Sequence, residues 1–139
     1  DCDHEAVARR FITHGTDVNF EPPESCYTIL HDAIHGGHEL LSEVFLHGAD
    51  LLASTLYGET PLHLAVQEGL EGVVSTLLLK GADKDAVNDV GDSVLMTACR
   101  HGEIPTTTII VEKLLSDGAD VNIRNCRRDT ALMLASRNG

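Results

Sequence analysis

Tryptophan is absent from the chain, and two tyrosines and three phenylalanines leave the aromatic content at 4%. So few rings exclude a surface on which nucleic-acid bases stack in succession. Cationic side chains are also scarce: 10 Lys and Arg stand against 22 Asp and Glu, a net charge of −12. Such a surface repels phosphate backbones and anionic lipid, which removes nucleic acid and membrane as expected partners. The cysteines, Cys2, Cys26, Cys99 and Cys126, form no C-x-x-C pair, so neither a zinc ribbon nor a dithiol redox motif is present. Four thiols in 139 residues are too sparse for a disulfide scaffold, and reduced thiols point to the cytoplasm or, alternatively, the nucleus. No apolar run approaches the roughly 18 residues of a membrane span, and no signal-peptide pattern opens the chain. Walker, G-x-S-x-G, H-E-x-x-H and kinase patterns are all missing, so neither an enzyme nor a cofactor is expected.

What is present is an ordinary hydrophobic content of 42%, enough for one compact domain or a short repeat array. Charge is uneven along it. Up to Cys99 there are 17 acidic and 4 basic residues, and from Arg100 onward 5 acidic and 6 basic. Electrostatic steering along the first two-thirds therefore favours a basic segment of a partner. The stretch "LHDAIHGGH" sets His31, His35 and His38 close together, and a helix would bring the first two onto one face, as a zinc motif does.

Internal repetition gives those histidines a different meaning. "THGTDVN", "LHGADLL", "LKGADKD" and "SDGADVN" are one motif used four times, with Gly15, Gly48, Gly81 and Gly118 spaced by 33, 33 and 37 residues. A second motif interleaves with it: "TILHDAIHGG", "TPLHLAVQEG", "SVLMTACRHG" and "TALMLASRNG". In each copy Thr28, Thr60, Ser93 or Thr130 lies nine positions before a glycine. The hydroxyl residues read as helix N-caps, and Pro61 takes the first helical position, where its missing donor costs nothing. Leu62, Leu64 and Ala65 then form an apolar stripe, and Val73, Val74, Leu77 and Leu78 form that of a second helix. Helix pairs of this kind cannot bury their faces alone and need stacked neighbours.

These two motifs resemble the ankyrin repeat, with its period of about 33 residues and its T-P-L-H-x-A signature. The resemblance covers the whole chain, and "GETPLHLAVQEG" followed by "LLLKGAD" is close to the family consensus. It implies an all-α solenoid of stacked antiparallel helix pairs with projecting β-hairpin loops. It also implies that the histidine of T-x-L-H links neighbouring repeats by hydrogen bonds. His31 and His63 hold that position, and Met96 and Met133 replace them in the later copies, as a packing residue allows and a metal ligand does not. His38 and His4 follow the family's turn position, and His14 and His47 lie near helix C-termini, where positive character is favourable. No metal is expected.

The expected organisation is a single array: a partial repeat over 1–19, a repeat over 20–52, another over 53–85, a third over 86–122, and a partial repeat over 123–139. The first has only its second helix and the last only its first. With Asp at the first position and no polar cap at either end, this reads as a monomeric module within a longer chain. The third repeat carries four extra residues near 103–108, where Pro105 stops a helix and Thr106 or Thr107 caps a new one. "FEPPES" has an extra residue and two prolines, which predicts a stiff, irregular hairpin. Cys26 and Arg128 stand two before the cap, where Gly58 and Gly91 stand in the middle copies, so positive φ there should cost about 1 kcal/mol each.

The family resemblance implies a non-enzymatic protein–protein interaction module, a scaffold or adaptor segment. The alternative is a regulatory or recruiting domain of a larger enzyme or channel. Carried over by motif position, the contact strip takes hairpin residues Glu24, Ser25, Ser54, Leu56, Tyr57, Val87, Asp89, Val90, Asp92, Arg124, Arg127 and Asp129. Tyr27 and Glu59 precede the helices on the same strip. First-helix candidates are His35, Gln67, Glu68, Arg100, His101, Arg137 and Asn138. Leu56, Tyr57 and Val90 are the apolar anchors among them. Asn122, with Leu114 eight residues before it, matches the asparagine that oxygenases hydroxylate in this family; the other reading is a structural asparagine tying its hairpin.

Overall fold

The computed structural model describes residues 10–21, 26–36, 44–45, 47–101 and 106–138. Its helices are α1 (Ile29–Gly36), α2 (Pro61–Gln67), α3 (Glu71–Leu79), α4 (Val94–Arg100), α5 (Thr107–Ser116) and α6 (Ala131–Asn138). Residues 10–13 and 44–45 are also helical. α1, α2, α4 and α6 pack each on the next as one layer. α3 and α5 form a second layer, each also packed against the first helix of its own pair. The core lies between the layers, built from Leu62, Leu64 and Ala65 of α2, Val74 and Leu77 of α3, Leu95 and Met96 of α4, and Ile110 and Leu114 of α5. This is the all-α ankyrin solenoid that the resemblance implies.

Each first helix starts where its hydroxyl residue stands, but the capping chemistry differs by copy. Ser93 Oγ accepts the Met96 N–H at 3.3 Å, as an N-cap should. At the histidine copies the imidazole reaches back instead. The Thr60 N–H donates to His63 Nδ1 at 3.2 Å, with the hydroxyl 2.9 Å from the same nitrogen. Thr28 and His31 repeat this at 3.0 and 2.9 Å. A backbone N–H only donates, so Nδ1 is unprotonated and the ring proton sits on Nε2. His63 Nε2 then donates to the Asp92 carbonyl at 3.3 Å, the link between neighbouring repeats. Burial pushes the pKa of both rings down. His31 Nε2 is buried, and the Ala53 backbone is the group that acts on it as acceptor, opposing the effect of burial.

Between repeats the connecting loops project as hairpins held by turns; among the described residues the only β-bridge is Val87–Ser93. Thr55, Asn88 and Asn125 each fold one. Asn88 Oδ1 accepts the N–H groups of Val90 and Asp92 at 3.2 and 3.0 Å, and Asn125 Oδ1 accepts those of Arg127 and Asp129 at 2.9 and 3.0 Å. Successive hairpins are joined by the Asp89 N–H on the Tyr57 carbonyl and the Cys126 N–H on the Val90 carbonyl, each at 3.0 Å.

The left-handed position two before each cap is observed in all copies: φ is 50° at Cys26, 72° at Gly58, 76° at Gly91 and 64° at Arg128. At Gly58 and Gly91 the next hairpin also crowds the site. A Cβ on Gly91 would stand 3.0 Å from the Cys126 backbone nitrogen, and one on Gly58 2.8 Å from that of Asp89. Arg128 is exposed and makes no ion pair among the described residues, so its side chain contributes nothing that offsets the strain. Arg128→Gly is therefore expected to stabilise the chain by about 1 kcal/mol, net of the extra freedom glycine gives the unfolded state. A higher urea midpoint at unchanged slope is the result to look for; an unchanged or lower midpoint would show that the αL strain is absorbed elsewhere.

The insertion falls mostly ahead of α5. That helix has 10 residues against 9 in α3, and each ends two residues before its closing glycine, Gly118 or Gly81. Thr106 takes the N-cap position with helical backbone angles and no side-chain cap, which corrects the expectation of a capping hydroxyl there. Its Oγ1 donates to the Gly69 carbonyl of the preceding repeat at 3.0 Å, and Thr107 Oγ1 donates to the His101 carbonyl at 3.1 Å. Both hydroxyls thus bond carbonyls earlier in the chain rather than cap the helix. His4, His38, Glu24, Ser25, the prolines of "FEPPES" and residues 103–105 lie outside the described residues.

Candidate functional site

The hairpin tips and the exposed side of the first-helix layer carry the strip of candidate contact residues. Its most exposed apolar groups are Leu56 at 57%, Tyr57 at 72% and Val90 at 56%. All three sit on turns closed by hydrogen bonds, and Tyr57 and Val90 have both backbone polar groups paired. Tyr27 is half-buried, its ring centroid 5.4 Å from that of His31 and stacked 6.1 Å from that of His35. His35 in turn meets Glu68 of the next repeat at 3.1 Å. Asp89, His101, Arg124 and Arg127 are exposed, as are Ser54 and Val87.

Other candidates are engaged within the chain. Asp92 is only 3% exposed. Its carboxylate accepts from Nε and Nη2 of Arg100, the latter at 3.2 Å, and from Asn125 Nδ2 at 2.6 Å. Burial acts to raise its pKa, but the Arg100 guanidinium and the Asn125 amide outweigh that and hold the carboxyl below its ordinary range. Asp129 is likewise buried and takes both terminal nitrogens of Arg137 at 2.8 and 2.9 Å. Gln67 donates to the Glu59 carboxylate. These are three copies of one device. An acid just before the cap grips a side chain eight residues on, in the last turn of the first helix, and so ties hairpin to helix. Three recurrences at the same offset were the sequence signal for it: Glu59 and Gln67, Asp92 and Arg100, Asp129 and Arg137. Asn125, which joins the fourth hairpin to Asp92 of the third, was absent from the candidates; its signal was the shared offset of Asn88 and Asn125 from the left-handed residue.

A cleft of about 410 Å³ opens between the third and fourth hairpins. Val90, Cys126 and Arg127 line it from the hairpins, and Arg100 and His101 from the end of α4. A second, more apolar groove of about 340 Å³ runs between α5 and α6, with Leu115, Val121, Asn122 and Leu132 on its walls. Asn122 is exposed, and its N–H donates to Asp120 Oδ1 at 2.8 Å. Asn19 and Asp85, at the same repeat position, instead reach the next repeat: Asn19 Oδ1 accepts the Asp50 N–H and Asp85 Oδ1 the Asp120 N–H, both at 2.7 Å. The described thiols of Cys26, Cys99 and Cys126 are all reduced, and burial raises the pKa of Cys99, the opposite of an activated nucleophile. Among the described residues no three His, Cys, Asp or Glu side chains converge as metal ligands, and no helix is long and apolar enough to cross a membrane.

Comparison with known proteins agrees with this architecture. The family described as ankyrin repeats in three copies matches residues 2–88 and 70–139. The chain is similar to the mouse B-cell lymphoma 3 protein homolog, 36% identical over 110 residues, which is 78% of this chain and 24% of that protein. It is similar to human neurogenic locus notch homolog protein 1, 31% identical over 131 residues, 93% of this chain and 5% of that protein. A putative ankyrin repeat protein of fowlpox virus is 34% identical over 90 residues, 64% of this chain and 20% of that protein. The chain thus spans a quarter or less of the length of these relatives. Stacked helix pairs, the imidazole link from His63 to the next repeat and a match across nearly every residue lead to one assignment: the chain belongs to the ankyrin repeat family, whose repeats are a non-catalytic protein–protein interaction module.

Proposed function

We infer that this chain is a scaffold or adaptor segment that binds a partner polypeptide through its hairpin tips and the concave face of its first helices. The observation that carries the reading is the set of anchors Leu56, Tyr57 and Val90, exposed on turns closed by hydrogen bonds of Thr55 and Asn88. Apolar and aromatic groups fixed in this way lose little entropy on binding, and so make good hot spots. Glu68 and Asp89 flank the second repeat's part of the strip with negative charge, which suits a basic segment of the partner there. Because the relatives are several times longer, a recruiting role within a larger enzyme or channel is the second reading, and it uses the same strip.

The test is capture of proteins from cell extract by the immobilised chain. The double substitution Leu56→Ser and Tyr57→Ser is compared with Leu79→Ser, a control 85% exposed on α3 in the other layer. Loss of the bound proteins in the first variant only is expected. Equal capture by both would rule out the hairpin strip as the docking surface.

A further inference from the structure

Three arginines of the last hairpin, Arg124, Arg127 and Arg128, are exposed and have no ion-pair partner among the described residues. The arginines at the helix ends are different. Arg100 and Arg137 grip Asp92 and Asp129 through two nitrogens each, so those charges are compensated in place. Arg127 lies on the wall of the 410 Å³ cleft, near enough to Asp92 for its charge to act on that carboxyl. Asp92 is bonded by Arg100 and Asn125 and makes no ion pair with Arg127. The cleft's other acid, Glu59, takes the amide of Gln67, a neutral group that brings no counter-charge. The last hairpin thus carries three arginines without an ion-pair partner among the described residues, against that one carboxylate on the cleft wall, although the chain as a whole carries −12.

We propose that the cleft between the third and fourth hairpins receives an acidic side chain from an extended segment of the protein partner, with Arg127 as its uncommitted guanidinium and Val90 and Cys126 as its walls. This rests on the strip being the docking surface and adds the chemistry of what docks. A guanidinium pairs with a carboxylate through two parallel N–H groups, and a cleft of this volume suits one or two side chains rather than a polymer backbone. A nucleic acid laid along the strip would have to pass the first two-thirds of the chain, where acids outnumber bases 17 to 4. A short acidic stretch need not. The partner segment that fits is bipolar, with basic residues over Glu68 and Asp89 and acidic ones over Arg127. Such a pattern fixes the direction in which the segment lies as well as its affinity.

Fluorescence anisotropy tests this with the whole chain and a labelled peptide of alternating glutamate and alanine. The same peptide with glutamine for glutamate, and a labelled single-stranded DNA, serve as comparisons. The acidic peptide should bind. Glutamine in the peptide, or Arg127→Glu in the chain, should each weaken binding about tenfold, the equivalent of about 1.4 kcal/mol. Arg127 is exposed and makes no ion pair, so the variant should fold, which circular dichroism verifies. Absence of binding, equal binding of the glutamine peptide, indifference to Arg127→Glu, or equal affinity for the DNA would each overturn the assignment. If the assignment fails while the Leu56 and Tyr57 variant still loses its captured proteins, the docking strip stands and only its acidic pocket falls.

Discussion

Replacing Asp92 with alanine is expected to lower the free energy of unfolding by about 3 kcal/mol, although no apolar side chain is removed. Removing one member of a buried charged pair strands the other, a loss of about 3–5 kcal/mol in deeply buried cases. The lower end applies here, because the Arg100 side chain is 37% exposed and recovers some water. The Asn125 amide, in a residue only 5% exposed, loses its acceptor as well. Asp92→Asn keeps one oxygen toward Asn125 or Arg100 and should cost about 1 kcal/mol. The decisive measurement is a double-mutant cycle with Arg100→Met, read by urea unfolding. If the two losses simply add, the residues act independently and the device described above is not a unit. Acid should act in the same direction. The folded-state pKa of Asp92 lies below the unfolded value, so its contribution is complete above the ordinary carboxylate range and is lost as pH falls through the folded pKa.

Leu77→Ala should cost about 3 kcal/mol, within the range for a leucine emptied from a packed core, while Leu132→Ala should cost less than about 0.5 kcal/mol. Leu77 is 0% exposed in α3, whose neighbours are α2 and α5. Leu132 is 75% exposed. The contrast is informative because Leu132 holds the same motif position as Leu30, Leu62 and Leu95, which are 0%, 1% and 3% exposed. Consensus identity does not confer burial; a neighbouring helix does. In a chain whose repeats touch only their neighbours, the α3 cavity should also separate the two ends, giving a shallower unfolding transition as well as an earlier one. Comparable losses for Leu77→Ala and Leu132→Ala would show that the last first helix is covered in solution.

That comparison also marks how far the residues could be read in advance. Cap positions, apolar stripes and the left-handed sites at Cys26 and Arg128 were legible, because each is a local requirement repeated at a fixed period. The inter-repeat link made by His63 was legible from the family resemblance. The candidate strip could be listed from motif positions, but which of its side chains are committed within the chain could not. Asp92 looked like a charge offered to a partner, whereas it is enclosed by Arg100 eight residues on and by Asn125 from the next hairpin. Whether an acid on a hairpin faces outward depends on which long side chain folds back over it, and periodicity carries no record of that. Thr106 shows the same limit: its hydroxyl found the Gly69 carbonyl of the preceding repeat, a partner no local pattern names.

Adjacent hairpins share a single backbone amide each, Asp89 to Tyr57 and Cys126 to Val90, with the Asn125 side chain adding a bond to Asp92 at the second junction, rather than the multiple rungs of a sheet. A row of such single pins works as a chain of hinges. A junction with one backbone bond resists a change of angle less than a laddered sheet would, while the leucine-filled layers behind it hold the spacing. The radius of the groove is then set partly by whatever lies in it. A stiff occupant and a supple one would leave the same residues in contact and the array bent to different arcs.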